Sequence, residues 1–98
     1  MRDIRWLEPA KEAYLGMIEK LVQTDTAQAD ELTEKTAQSL SELTEHATAY
    51  PHIDSNATLR EIAITPYCHL VYNVTDMMII IVAAVPSREW WETGDFLH

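Results

Sequence analysis

Leu59-Arg-Glu-Ile-Ala-Ile-Thr65, Cys68-His-Leu-Val-Tyr-Asn-Val-Thr75 and the nine apolar residues Met77 to Val85 follow one another with only Pro66, Tyr67 and Asp76 between them, and Pro86 ends the series. Each run is rich in β-branched and aromatic residues and is bounded by a turn former, which predicts three β-strands in immediate succession. The series closes on Arg88-Glu-Trp-Trp91. Ahead of it lies a front half written in helical periodicity, so helices and strands are segregated along the chain.

Upstream, Asp3-Ile-Arg-Trp-Leu7 places Ile4 and Trp6 on one face and Asp3 and Arg5 on the other, which suits a half-buried strand. Pro9 suits the first turn of a helix. Ala10, Ala13, Tyr14, Met17, Ile18 and Leu21 then recur at three- and four-residue spacing, predicting an amphipathic helix to about Gln23. Asp25, with Gln28 three residues later, has the form of a capping box opening a second helix. Ala29, Leu32, Thr36, Leu40, Leu43 and Ala47 carry one stripe along it until Tyr50-Pro51 stops it. His52 to Thr58 is polar and unpatterned and is expected to be a surface loop. The resulting reading is one domain over residues 1–98: an α+β fold of two layers, a helical hairpin packed on an antiparallel sheet in the order β-α-α-β-β-β. Met77 to Val85 lacks alternation, so both its faces are expected to be covered, one by the helices and the other by a partner.

At 98 residues the chain supports a single core. Its longest apolar run falls far short of the roughly 20 residues that span a bilayer, and it opens on charged residues, so a soluble cytoplasmic protein is expected. Cys68 is the only cysteine and sits inside an apolar strand, where a small buried hydrophobe is expected. The formal charge is −9, from 16 acidic residues against 7 basic ones, and this argues against direct nucleic-acid binding. Glu31, Glu34, Glu42 and Glu45 read as a solvated outer helix face. His46, His52, His69 and His98 show no metal-ligand spacing. With only Gly16 and Gly94 there is no phosphate-cradling loop, and no cofactor is expected. Arg60 opens the second strand of the sheet, and Arg88 stands beside Trp90 and Trp91. Arg60 is expected either to pair with a helix acid or, with Arg88 and the tryptophans, to anchor another protein.

Ile-Arg-Trp-Leu-Glu-Pro-Ala at 4–10, Leu-Arg-Glu-Ile at 59–62, Tyr-Cys-His-Leu-Val-Tyr-Asn-Val at 67–74 and Val-Pro-Ser-Arg-Glu-Trp at 85–90 resemble the RelE/ParE family of bacterial type II toxins across essentially the whole chain. The resemblance implies a small intracellular toxin held inactive, as a hetero-oligomer, by a cognate antitoxin, ParD-like or of another family. Trp6, Tyr14, Met17, Leu21, Met78 and Ile80, on the helix stripes and the apolar fourth strand, are the expected antitoxin contacts.

RelE-like members cut mRNA on the ribosome with lysines in the second strand, arginines in the third strand and after the fourth, and commonly a tyrosine near the C-terminus. Here Glu61 and Ala63 stand in the second strand and His69 in the third, Arg88 alone matches, and Trp90, Trp91 and Phe96 stand where the tyrosine would be. Replacing cations with an acid and an alanine removes charge stabilisation from a scissile phosphate. The resemblance is therefore to the ParE branch, whose members poison DNA gyrase, with no catalytic residue and with Arg60, Arg88, Trp90 and Trp91 as the expected target contacts. Two alternatives stay open: a ribosome-dependent endoribonuclease with a rearranged site that uses His69 as base, and an inert member that only binds antitoxin.

Overall fold

A computed structural model describes residues 2–53 and 56–86. The elements run β1 (Asp3–Trp6), α1 (Glu8–Thr24), α2 (Thr26–His46), β2 (His52–Ile53), β3 (Asn56–Thr65), β4 (Cys68–Val74) and β5 (Met78–Val85). The five strands form one sheet in the order β1-β5-β4-β3-β2.

Pro9 sits in the first turn of α1, where its missing N–H has no helical partner to lose. The helix ends where Asp25 leaves the helical conformation, and the Asp25 carboxylate accepts from the Gln28 N–H at 3.2 Å to open α2. The expected stripes face inward. Ala10 on α1 and Ala29, Leu32, Thr36 and Leu43 on α2 are buried, while Tyr14, Met17, Ile18, Leu21 and Leu40 are half-buried against the same core. Ala13 is the exception, exposed at the stripe's edge.

The sheet departs from expectation in two ways. It is mixed rather than antiparallel: β1 runs parallel to β5, with Ile4 opposite Ile79 and Trp6 opposite Ile81, while the β5-β4-β3-β2 pairs are antiparallel. The two helices make the crossover that a parallel pairing of distant strands needs. The order also gains a strand, because His52 and Ile53 pair with Arg60 and Asn56, and β3 begins at Asn56 rather than Leu59. Part of the expected surface loop is therefore a short hairpin arm, bulged between His52 and Ile53.

The core lies between the helices and one face of the sheet, where Leu43, Ile62, Leu70, Tyr72, Ile79 and Ile81 meet. The other face carries a smaller cluster, in which Ile53, Val71 and Val85 are buried with Leu59, Val82 and Ala83 around them. A register shift between Val71 and Tyr72 sets Val82 and Ala83 both toward this face and explains why the β5 run never alternates. No helix among the described residues is long and apolar enough to cross a membrane.

The end of α2 is tied to the sheet by polar bonds. The Tyr72 hydroxyl donates to the Ala47 carbonyl at 2.8 Å, and the Arg60 guanidinium donates to the carbonyls of Thr48 at 3.1 Å and Tyr50 at 2.6 Å. The Tyr50 hydroxyl donates in turn to the Glu42 carboxylate. Burial pushes the Tyr72 phenol up to about 12, an effect that nearby Arg60 opposes and Tyr50 reinforces, and burial alone pushes the Cys68 thiol up to about 11. The unfolded chain loses these protons from near the ordinary values of 9.0 and 10.0, while the folded chain keeps them. Their contribution to stability is therefore complete below pH 9.0, declines as pH rises, and is gone once both folded groups have ionised. Urea midpoints should fall in that alkaline window, and Cys68→Ala should make the fall shallower than in the parent.

Candidate functional site

The register of the β3–β4 hairpin fixes what stands on the helix-free face. Ala63 is opposite His69 and Glu61 is opposite Val71, so Glu61 and His69 are diagonal neighbours on one side of the sheet. His69 Nδ1 lies 3.3 Å from Glu61 Oε2, and the two side chains keep only 13% and 8% of their surface in contact with solvent. Arg5 and Asn73 share this face by alternation along β1 and β4, and the Leu59–Val71–Val82 cluster forms its floor.

A carboxylate beside an imidazole sets the ring's protonation pattern. In the tautomer with its proton on Nδ1, the ring donates to the Glu61 carboxylate and leaves its lone pair on Nε2. A carboxylate and an imidazole so placed can pass a proton between them and a third group. Charge is also divided between the layers. The helices carry Glu8, Glu12, Glu19, Asp30, Glu31, Glu34, Glu42 and Glu45, whereas the acids within described strands are Asp3 and Glu61. Against Lys11, Lys20 and Lys35 these eight acids leave the helical layer, which faces away from the couple, with a net charge of −5. No group of histidine, cysteine and carboxylate side chains that could hold a metal ion exists among the described residues.

The other expected site residues are scattered. Arg88, Trp90 and Trp91 lie outside the described residues. Among the described residues no ion pair joins Arg60 to a helix acid; its half-exposed guanidinium donates to two carbonyls at the end of α2, which makes it a structural tie. Arg60→Met, keeping the stem and dropping both bonds, should lower the unfolding free energy by about 2 kcal/mol with an unchanged urea slope. Of the expected antitoxin contacts, Trp6 and Tyr14 come together with ring centroids 5.2 Å apart. Met17 and Leu21 pack beside them against the core, whereas Met78 and Ile80 sit across β5 from the buried Ile79 and Ile81, on the helix-free side. Six residues read as one surface therefore occupy two.

Glu61 was read only as an acid standing where a cation was wanted, and its pairing with His69 was missed. Counting outward from the Pro66–Tyr67 turn would set His69 opposite Ile64 and Glu61 opposite Tyr72, on different faces; the register shift between Ala63 and Thr65 is what brings Glu61 and His69 to one side of the sheet.

No family model matches the chain, and no curated protein matches it in sequence. Solved structures do match in fold. The YoeB dimer from Staphylococcus aureus superposes with a TM-score of 0.61 at 17% identity, covering 86% of this chain and 94% of that one. The E. coli DinJ-YafQ toxin-antitoxin complex gives 0.59 at 16% identity over 87% of this chain and 91% of that one. A YafQ point mutant from E. coli gives 0.61 at 14% identity over 93% and 99%. The chain has the α+β fold of these proteins, two helices on a five-stranded mixed sheet.

Proposed function

We propose that the chain is the toxin of a type II toxin–antitoxin pair and that it arrests growth by cutting RNA with the Glu61–His69 couple. The observation that carries this is the 3.3 Å contact between two nearly buried proton carriers, a carboxylate and an imidazole, on the helix-free face of the sheet. The fold shared with YoeB and with YafQ in its complex with DinJ supports the toxin role and an antitoxin partner. None of these neighbours is described as acting on DNA gyrase, so the target implied by the ParE resemblance draws no support from them.

In the reaction, Nε2 of His69 takes the proton of a ribose 2′-hydroxyl. The 2′-oxygen bonds to the adjacent phosphorus, the bond from phosphorus to the 5′-oxygen breaks, that oxygen takes a proton from water, and His69 returns its own proton to solvent, leaving a 2′,3′-cyclic phosphate and a 5′-hydroxyl. Glu61 holds the ring and stabilises its cation. A chain of charge −9 repels free RNA, so the substrate is one presented by a larger assembly. Cutting on the ribosome, as the RelE side of the resemblance implies, meets that requirement and puts the protein in the cytoplasm.

Inducing the chain alone in bacteria tests this reading. Growth arrest with new 5′-hydroxyl ends in mRNA supports it; arrest with intact mRNA and lost supercoiling would replace it with gyrase inhibition, and normal growth with the inert reading.

A further inference from the structure

Where β4 stops and β3 begins, a hollow of about 430 Å³ opens at the end of the sheet, lined by Arg2, Thr48, His52, Arg60, Asn73 and Asp76 among others. Its volume lies within the range of about 300 to 1,000 Å³ usual for small-molecule sites. The lining runs against the composition of the chain. Two of the seven lysines and arginines meet here from distant parts of the sequence, and Asp76 is the one carboxylate beside them. The chain has 16 acids, yet among the described residues none forms an ion pair with Arg2 or Arg60.

Backbone carbonyls hold both guanidinium groups instead. Arg2 donates from Nε to the Thr75 carbonyl at 2.8 Å, so its two terminal nitrogens stand outside that bond. Arg60 donates to the Thr48 and Tyr50 carbonyls from Nη1 alone, so Nη2 stands outside both. A guanidinium held by carbonyls keeps its net charge, and a ligand has less side-chain entropy to freeze when it binds. Two such groups facing one hollow present N–H donors in the fork geometry that matches phosphate oxygens. We infer that this hollow binds a phosphate group, with Arg2 and Arg60 supplying the charge and His52 and Asn73 supplying side-chain N–H donors beside them. Asp76 opposes the binding and limits its strength, as does Glu45, which lines an adjoining hollow together with Arg2 and Asp76.

The phosphate has two possible sources. Asn73 and His69 lie on the same face of β4, four residues or about 13 Å apart. An RNA strand lying along β4 from His69 reaches the hollow at Asn73 and would supply a backbone phosphate; a free nucleotide would supply a terminal one. The site itself stands without the RNA-cutting reading, on which only the first source rests.

Titrating adenosine 5′-monophosphate and adenosine into the full chain by calorimetry tests the site. The monophosphate should bind at least about tenfold tighter than adenosine, and more weakly as salt is raised. Arg2→Gln should weaken the monophosphate by about tenfold and leave the thermal transition in place. Asp76→Asn, at an exposed bend, should tighten it by about two- to fivefold. Equal binding of the two compounds, or binding of neither, would overturn the inference. So would monophosphate binding that both substitutions leave unchanged, which would put the ligand elsewhere on the chain. RNA cleavage then separates the sources. If Arg2→Gln also cuts about tenfold more slowly, the RNA strand supplies the phosphate; if it cuts as the parent does, a free nucleotide supplies it. A parent chain that does not arrest growth would remove the RNA source together with the RNA-cutting reading, while the titrations would still decide the site.

Discussion

Growth arrest is expected to collapse when His69 becomes alanine, with RNA cleavage falling by about 10² to 10⁴, the usual worth of a positioned proton carrier. Glu61→Gln should cost less, about tenfold to a hundredfold, because glutamine can still accept from Nδ1–H but cannot stabilise the imidazolium. The double variant should be no worse than His69→Ala alone, since two residues that act as one unit do not add. Both residues are largely buried, so the folded state needs its own control. His69→Gln keeps most of the volume and a hydrogen-bonding terminus; it should preserve the thermal transition and still lose cleavage. If His69→Gln arrests growth as the parent does, the couple is structural and the chemistry lies elsewhere.

The helical half of the molecule was legible almost residue by residue, because helix periodicity is local. Leu32, Thr36, Leu43 and Ala47 face the core as their spacing demands, and Asp25 caps α2 as an acid at that position should. The three late strands were legible too, with Cys68 buried as an apolar strand residue. What could not be read is what depends on distant pairing. Nothing in Asp3 to Trp6 says that its neighbour will be Met78 to Ile81 or that the pair will run parallel. His52 and Ile53 are too few to show a strand pattern and become one only because β3 lies beside them. The bulge at Val82 and Ala83 erases the alternation that would have told one face of β5 from the other. At the candidate site the limit is again one of pairing: the register shift between Ala63 and Thr65, which brings Glu61 and His69 onto one face, is written in neither strand alone. Arg60 shows the same limit from the other side. An arginine at the head of a strand looks like a free binding group until the carbonyls of Thr48 and Tyr50 are seen around it.

Leu43→Ala should be the most damaging single change to the fold among the α2 stripe positions. Leu43 has no exposed surface and sits on α2 within the cluster that joins both helices to Ile62, Leu70 and Tyr72. It stands one turn before Ala47, whose carbonyl receives the Tyr72 hydroxyl. Truncating it removes apolar burial and leaves a cavity whose walls are fixed on one side by the sheet and on the other by the Tyr72 and Arg60 ties, so collapse is restricted. The expected loss is about 3 kcal/mol, against a total stability on the order of 5 to 15 kcal/mol for a domain of this size. The melting temperature should fall by roughly 12 to 24 °C, at 4 to 8 °C per kcal/mol. Leu15→Ala provides the contrast, deleting the same atoms from a residue half in water, and should change stability by no more than about 0.5 kcal/mol. Melting curves of the two variants side by side decide the matter. A Leu43→Ala chain that melts within a few degrees of Leu15→Ala would mean that the hairpin does not close over the sheet as described.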